Sequence, residues 1–276
     1  MFTLNCKGRL LRINQPIVMG IINTTPDSFY AGSRQQGIEA ALQQASRMIE
    51  EGATILDIGG QSTRPGSERI SVEEELQRVV PIIAAVHQRF PDTLISCDTF
   101  YATVAKQAVE AGASLINDIS AGSIDPDLFS TVASLQVPYV LMHMKGNPQT
   151  MQQETHYTDL TTEVLDLLIQ KKQQAFAAGI RDIIIDPGFG FAKTIEQNFI
   201  LLRNLSVFSI LEAPLLLGIS RKSFIWKTLG ITAAEALEGT VAMHMAGLMG
   251  GASILRVHDV KEAVQTIRLF QAMREA

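Results

Sequence analysis

Cysteine is nearly absent from this chain: of 276 residues only Cys6 and Cys97 are cysteine, too few for a disulfide framework. Cys97 lies in an apolar run beside Asp98, where a buried free thiol is expected. Positive charge is not in excess either. A net charge of -5 offers no basic face to nucleic acid or an anionic membrane, so any anionic ligand must be held by a local cluster of cations. No window approaches the roughly 18 to 20 apolar residues that span a bilayer, and the opening MFTLNCKGRLLRINQ lacks a secretory signal's apolar core. The expectation is a soluble cytoplasmic protein whose partners are small molecules. His87 and His156 lack zinc-site spacing, and the glycines of Asp186-Pro187-Gly188-Phe189-Gly190-Phe191 do not form a dinucleotide fingerprint.

What is present is a series of eight short apolar runs, nearly all with a polar residue at or near the end: PIVMGIIN to Asn23, TILDIGG with Asp57, TLISCD to Asp98, SLIND to Asn117, PYVLMH to His143, DIIIDPG with Asp186, PLLLGIS to Ser220, and SILRVHD with Arg256 and His258. Helical patterns fall between them, at roughly 36–51, 72–89, 101–111, 125–136, 158–178, 195–205, 233–249 and 259–273, with Ser71 before Glu74 fitting a capping box. Four segments, EEGATILDIG, EAGASLINDI, AAGIRDIIIDPG and MGGASILRVHD, repeat one step from helix through glycine to strand. This alternation predicts an α/β fold, a (β/α)8 TIM barrel in a single domain over 1–276. Residues 1–15, turning at Cys6-Lys7-Gly8-Arg9, form a short N-terminal β-hairpin closing the barrel's amino-terminal end.

In such a barrel the chemistry belongs at the carboxyl ends of the strands. Asp98, Asn117 and Asp186 end apolar strands, where a polar group needs structural donors or a ligand to satisfy it. Together they suit a flat heterocycle rich in N–H donors, such as an aminopyrimidinone. Helix capping or core satisfaction is the other use for each one singly. Cations follow, in Ser220-Arg221-Lys222-Ser223 and in Arg256-Val257-His258. Arg256 and His258, two apart on a strand, project together, at the end of the barrel where anions are commonly held. Asn23 and Arg64 could reach the same anion from the loops. The long segments 23–32 and 59–66 leave strands one and two at this rim, as substrate-closing loops do.

Six motifs in order resemble those of the bacterial dihydropteroate synthase family of pterin-binding enzymes: Asn-x-Thr-Pro-Asp-Ser-Phe, Gly-Gln-Ser-Thr-Arg-Pro-Gly, Asn-Asp-Ile, Asp-Pro-Gly-Phe-Gly-Phe, Ser-Arg-Lys-Ser-Phe and Arg-x-His. The resemblance implies condensation of 6-hydroxymethyl-7,8-dihydropterin pyrophosphate with p-aminobenzoate, giving 7,8-dihydropteroate and pyrophosphate. It implies that Asp98, Asn117, Met142, Asp186, Phe191 and Lys222 hold the pterin. Asn23, Arg64, Arg256 and His258 would hold pyrophosphate, with Asn23 on Mg2+, and Phe29, Thr63, Arg64, Pro65 and Ser223 would hold p-aminobenzoate, its carboxylate suited to a helix amino terminus. Asn23, Asp98, Lys222, Arg256 and His258 would carry the catalysis. A homodimer through the last two barrel helices is also implied. The chain departs from the family at Ala31, where many members carry an aspartate. Two other readings share part of the pattern: a methyltetrahydrofolate-corrinoid methyltransferase, which needs no pyrophosphate site, and an inactive pterin-binding protein, which releases no pyrophosphate.

Overall fold

The computed structural model describes residues 1–24, 34–62 and 67–276. The first two strands, β1 (Phe2–Cys6) and β2 (Arg9–Ile13), form an antiparallel hairpin with Cys6 opposite Arg9. Its two-residue turn places Lys7 at φ 55° and Gly8 at φ 88°, the left-handed pair that suits the twist of a tight hairpin.

Eight parallel strands follow: β3 (Ile17–Asn23), β4 (Ile55–Gly59), β5 (Leu94–Asp98), β6 (Leu115–Asp118), β7 (Tyr139–Met142), β8 (Ile183–Asp186), β9 (Leu216–Leu217) and β10 (Ile254–Val257). They run β8-β7-β6-β5-β4-β3-β10-β9. A parallel bridge between Ile185 and Leu215, with Ile185 N–H donating to Pro214 O at 2.9 Å, joins the two ends. The sheet is thus the expected (β/α)8 barrel. Of the seventh expected run, only Leu216–Leu217 stays in the ladder.

The enclosing helices are α1 (Arg34–Glu50), α2 (Val72–Arg89), α3 (Ala102–Ala111), α4 (Leu128–Leu135), α5 (Leu160–Ala178), α6 (Ile195–Arg203), α7 (Ser223–Leu229), α8 (Leu237–Met249) and α9 (Val260–Glu275). Each expected helix is present, some shorter than expected. Two pieces were not among the sequence-based helices: a 3-10 helix at Leu205–Leu211, and α7, split from α8 at Gly230. At α2 the Ser71 hydroxyl accepts from Glu74 N–H at 3.2 Å, while the Glu74 carboxylate pairs with Arg78 one turn on. Only the hydroxyl half of the expected box is therefore formed. A reciprocal box occurs at α6, between Thr194 and Gln197.

Strand parity divides the core. One set of strand residues, Val18, Leu56, Ile95, Ile116, Leu141 and Ile185 among them, packs outward against the helices. The alternate set, Met19, Ile55, Leu94, Leu115, Val140, Ile184, Leu216 and Ile254, gives one residue per strand to an inner layer with Leu4, Cys6 and Ile13 of the hairpin. The hairpin therefore plugs the amino-terminal end of the barrel, at roughly 1.5–3 kcal/mol for each fully buried aliphatic side chain. Only the carboxyl-terminal end is left for a ligand. Cys6 and Cys97 are free and buried, as expected for Cys97. Among the described residues no helix is long and apolar enough to cross a membrane.

Candidate active site

Two residues beyond the apolar inner layer, each strand again points inward, and the chemistry changes. The eight positions are Ile21, Asp57, Ser96, Asn117, Met142, Asp186, Gly218 and Arg256. Half of this second layer is charged or amide-bearing. Asp57 is fully buried, and Asn117 and Asp186 nearly so. The next inward step brings Asn23, Asp98, Ser220 and His258 to the rim.

Asp57 organises the layer. Its Oδ2 accepts from Asn117 Nδ2 at 2.9 Å and from Arg256 Nε at 2.6 Å. Arg256 Nη2 then donates to Asp98 Oδ2 at 2.6 Å. Since a carboxylate can only accept, the bond to Asp57 fixes which end of the Asn117 amide faces it. Burial works against the Arg256 charge, but Asp57 and Asp98 outweigh it and hold the guanidinium above its ordinary range. Burial pushes the Asp98 carboxyl up, with Arg256 opposing. Asp57 Oδ1 and Ser96 Oγ, register neighbours on β4 and β5, have no hydrogen-bond partner.

Opposite, Asp186 Oδ1 accepts from Gly188 N–H at 2.7 Å. Burial raises its carboxyl, with Lys222 chiefly opposing. Lys222 donates to Phe189 O and lies 4.8 Å from the Phe191 ring centroid. Burial lowers its ammonium to about 8, with Asp186 opposing. Met142 and Phe191 pack with Phe100, Ile119 and Met151 into an apolar wall. At the rim His258 N–H donates to Ser220 Oγ at 3.2 Å, and its Nδ1 lies 3.1 Å from the same oxygen. Half-buried Asn23 ends β3 beside Gly59. Exposed Ser223 begins α7.

The barrel thus brings Asp98, Asn117, Asp186, Met142, Phe191, Lys222, Arg256, His258 and Asn23 to one end, around a polar floor. Phe29, Thr63, Arg64 and Pro65, like Ala31, lie outside the described residues.

Two strand-end expectations are corrected. Arg221, grouped with the anion-binding cations, instead forks onto Asp259 at 2.8 and 2.9 Å and donates to Ala233 O, so it fastens the loop before α8. His143 has the opposite parity to Met142 and is fully buried beside Lys193. Asp57, Ser96 and Lys193 were not among the expected site residues. Asp57 was visible as a strand carboxylate, and stepping back two residues from Asp98 along its strand finds Ser96, the register partner of Asp57.

No group of three or more His, Cys, Asp or Glu side chains suited to a metal occurs among the described residues. A lone carboxamide oxygen such as that of Asn23 suits Mg2+, which commonly takes one or two protein ligands and completes its shell with water and substrate phosphates.

A family model described as pterin binding enzyme matches residues 19–258. The chain belongs to the pterin-binding enzyme family. Within that family it is 43% identical over 272 residues to the dihydropteroate synthase of Escherichia coli K12, covering 98% of this chain and 96% of that one. It is 47% identical over 259 residues to the dihydropteroate synthase of Synechocystis, covering 93% and 89%. The solved structure of the Yersinia pestis dihydropteroate synthase with a sulfonamide drug superposes over the full length of both chains, with a TM-score of 0.93 at 42% identity. The activity these likenesses assign is dihydropteroate synthesis, the transfer of a pterinylmethyl group to an arylamine.

Proposed function

We propose that the described rim and floor carry out this transfer with the roles that follow. The observation that carries the reading is the buried ring in which Asp57 joins Asn117 to Arg256, and Arg256 joins Asp98, facing Asp186 and Lys222. Asp98, Asn117 and Asp186 accept the N–H edges of the aminopyrimidinone, Lys222 donates to its carbonyl side, and Met142 and Phe191 cover its faces. Arg256 and His258 receive the pyrophosphate, with Asn23 beside them. Mg2+, when bound through Asn23, supplies charge neutralisation of the leaving pyrophosphate.

The reacting carbon is a methylene on an electron-rich ring, so the C–O bond to pyrophosphate loosens before the arylamine nitrogen attacks. The acids of the ring lie where positive charge grows, and Arg256 and His258 where negative charge leaves. A protein nucleophile is not required, and a neutral aniline needs no dedicated base. Phe29, Thr63, Arg64, Pro65 and Ser223 form the p-aminobenzoate side in this reading.

The protein further pairs as a homodimer through its last two helices. Met249 at the end of α8, and Leu269 and Met273 on α9, are more than half exposed, which supports that face. A cytoplasmic location accords with two unpaired thiols.

The decisive experiment is pyrophosphate release from the dihydropterin pyrophosphate with Mg2+, with and without p-aminobenzoate, with the pterin product identified by mass. Release that depends on the arylamine and yields dihydropteroate is the expected result. Tight pterin binding with no release would overturn it in favour of a binding protein.

A further inference from the structure

We infer that Lys193 is a positioning residue for the pterin: its ammonium, sealed beneath the turn that follows β8, ties Gly188 and Phe191 to His143 and so sets where Asp186 and Phe191 meet the ring. The inference rests on the reading of this end of the barrel as the pterin pocket.

Lys193 is 4% exposed. Its Nζ donates to Gly188 O at 2.9 Å, to Phe191 O at 3.0 Å and to His143 Nδ1 at 3.0 Å. An ammonium has three N–H groups and no lone pair, so all its donors are spent and His143 must accept through Nδ1. Two of the acceptors belong to one turn and the third to the end of the neighbouring strand. The lysine is therefore a cross-link between β7 and the turn after β8. With its nitrogen so committed, it serves neither as nucleophile nor as base.

The turn has little freedom to be held any other way. Gly188 lies at φ 73°, and a Cβ there would fall 1.9 Å from His143 O. His143 N–H donates to Asp186 O at 3.0 Å, and Gly188 N–H to Asp186 Oδ1. Asn198 receives Gly190 N–H at 2.7 Å from the other side. Asp186 and Phe191 thus stand at the two ends of a loop wrapped around one buried charge. Burying that charge is costly, and the nearby carboxylate of Asp186 offsets part of the cost.

The groups facing Lys193 set its response to pH. Burial lowers its ammonium to about 7, with Asp186 opposing and Lys222 and Lys145 adding to the depression. His143, lowered to about 2 by burial and by Lys193, stays neutral. As pH rises through neutrality the amine loses a donor and the turn loses a tie.

The test measures equilibrium binding of the dihydropterin pyrophosphate, and KM for p-aminobenzoate, in the full chain and in Lys193→Met and Lys193→Arg. Lys193→Met is expected to weaken pterin binding by about tenfold or more, leaving the arylamine KM within about twofold. Lys193→Arg keeps the charge but cannot place three donors around one atom, so it is expected to weaken pterin binding as well. It carries the test if the methionine variant does not fold. The loss of wild-type pterin affinity between about pH 6.5 and 8.5 is expected to shrink in Lys193→Arg, since guanidinium does not titrate there, and to leave the part contributed by Lys222, whose ammonium is lowered to about 8. Unchanged pterin affinity in a folded variant, equal losses for both substrates, or an unaltered pH profile would overturn the role of Lys193. Absence of pterin binding by the wild type would instead reject the pocket itself.

Discussion

Nε of Arg256 lies 2.6 Å from Oδ2 of Asp57, although 199 residues separate them in the chain. The contact crosses the barrel interior over β3, between strands that are neighbours only once removed. It places the cation proposed to receive the pyrophosphate against a carboxylate that is fully buried. Arg256 is thereby aimed before any ligand arrives, and Asn117 is oriented by the same oxygen.

Asp57→Asn is expected to lower turnover at least about tenfold, because a charge-assisted hydrogen bond is worth about 1.5–3 kcal/mol. Steady-state kinetics with circular dichroism as a folding check would test it. Turnover within about twofold of wild type would show that Asp98 alone suffices to hold Arg256.

The two halves of the site should separate by mutation. Asp186→Ala removes acceptors from a desolvated ring edge and is expected to cost about 2–4 kcal/mol of pterin binding. Ser223→Ala is expected to raise the p-aminobenzoate requirement and leave pterin binding intact. Calorimetric titration with the pterin substrate, beside KM for the arylamine, distinguishes them; equal loss of pterin in both variants would contradict the division.

Gly188→Ala should be severe. The left-handed φ of 73° and the 1.9 Å approach to His143 O leave no place for a methyl group, so a loss of at least about 2 kcal/mol in stability is expected. Denaturant unfolding measures it, and a near-wild-type midpoint would mean that the turn can be rebuilt.

Glu75, on α2, is fully buried, and its carboxylate oxygens make no hydrogen bond of ordinary geometry. Burial pushes its carboxyl up to about 8, with the Thr99 hydroxyl opposing. An acid raised in the folded state favours folding while protonated, so its contribution is full below the ordinary value of 4.5 and is lost as pH rises through about 8. Glu75→Gln, neutral throughout, is expected to match wild type at acidic pH and exceed it in alkali. The midpoint should rise by roughly 2–4 °C for each kcal/mol recovered. Thermal melts across the pH range check this, and parallel curves for the two proteins would reject it.

Much of the architecture was legible along the chain because it is periodic. Apolar runs of strand length, glycines at helix ends and amphipathic stretches between them are local signals, and each maps onto a strand or helix of the barrel. The split of α7 from α8 and the 3-10 helix at Leu205–Leu211 were less so. Both are short, and their boundaries follow from packing against neighbours rather than from a repeat.

The sequence by itself determined which residue types stand at the strand ends: Asp98, Asn117, Asp186, Arg256 and His258 all reach the described site. Strand parity, a property of single-chain geometry, brings them inward. Only the tertiary structure decided which of them pair. That Asp57 joins Asn117 to Arg256, that Arg221 turns away to Asp259, and that His143 is buried as an acceptor for Lys193 depend on distances between strands far apart in sequence. Such pairings follow from barrel closure and register, which local propensity does not encode.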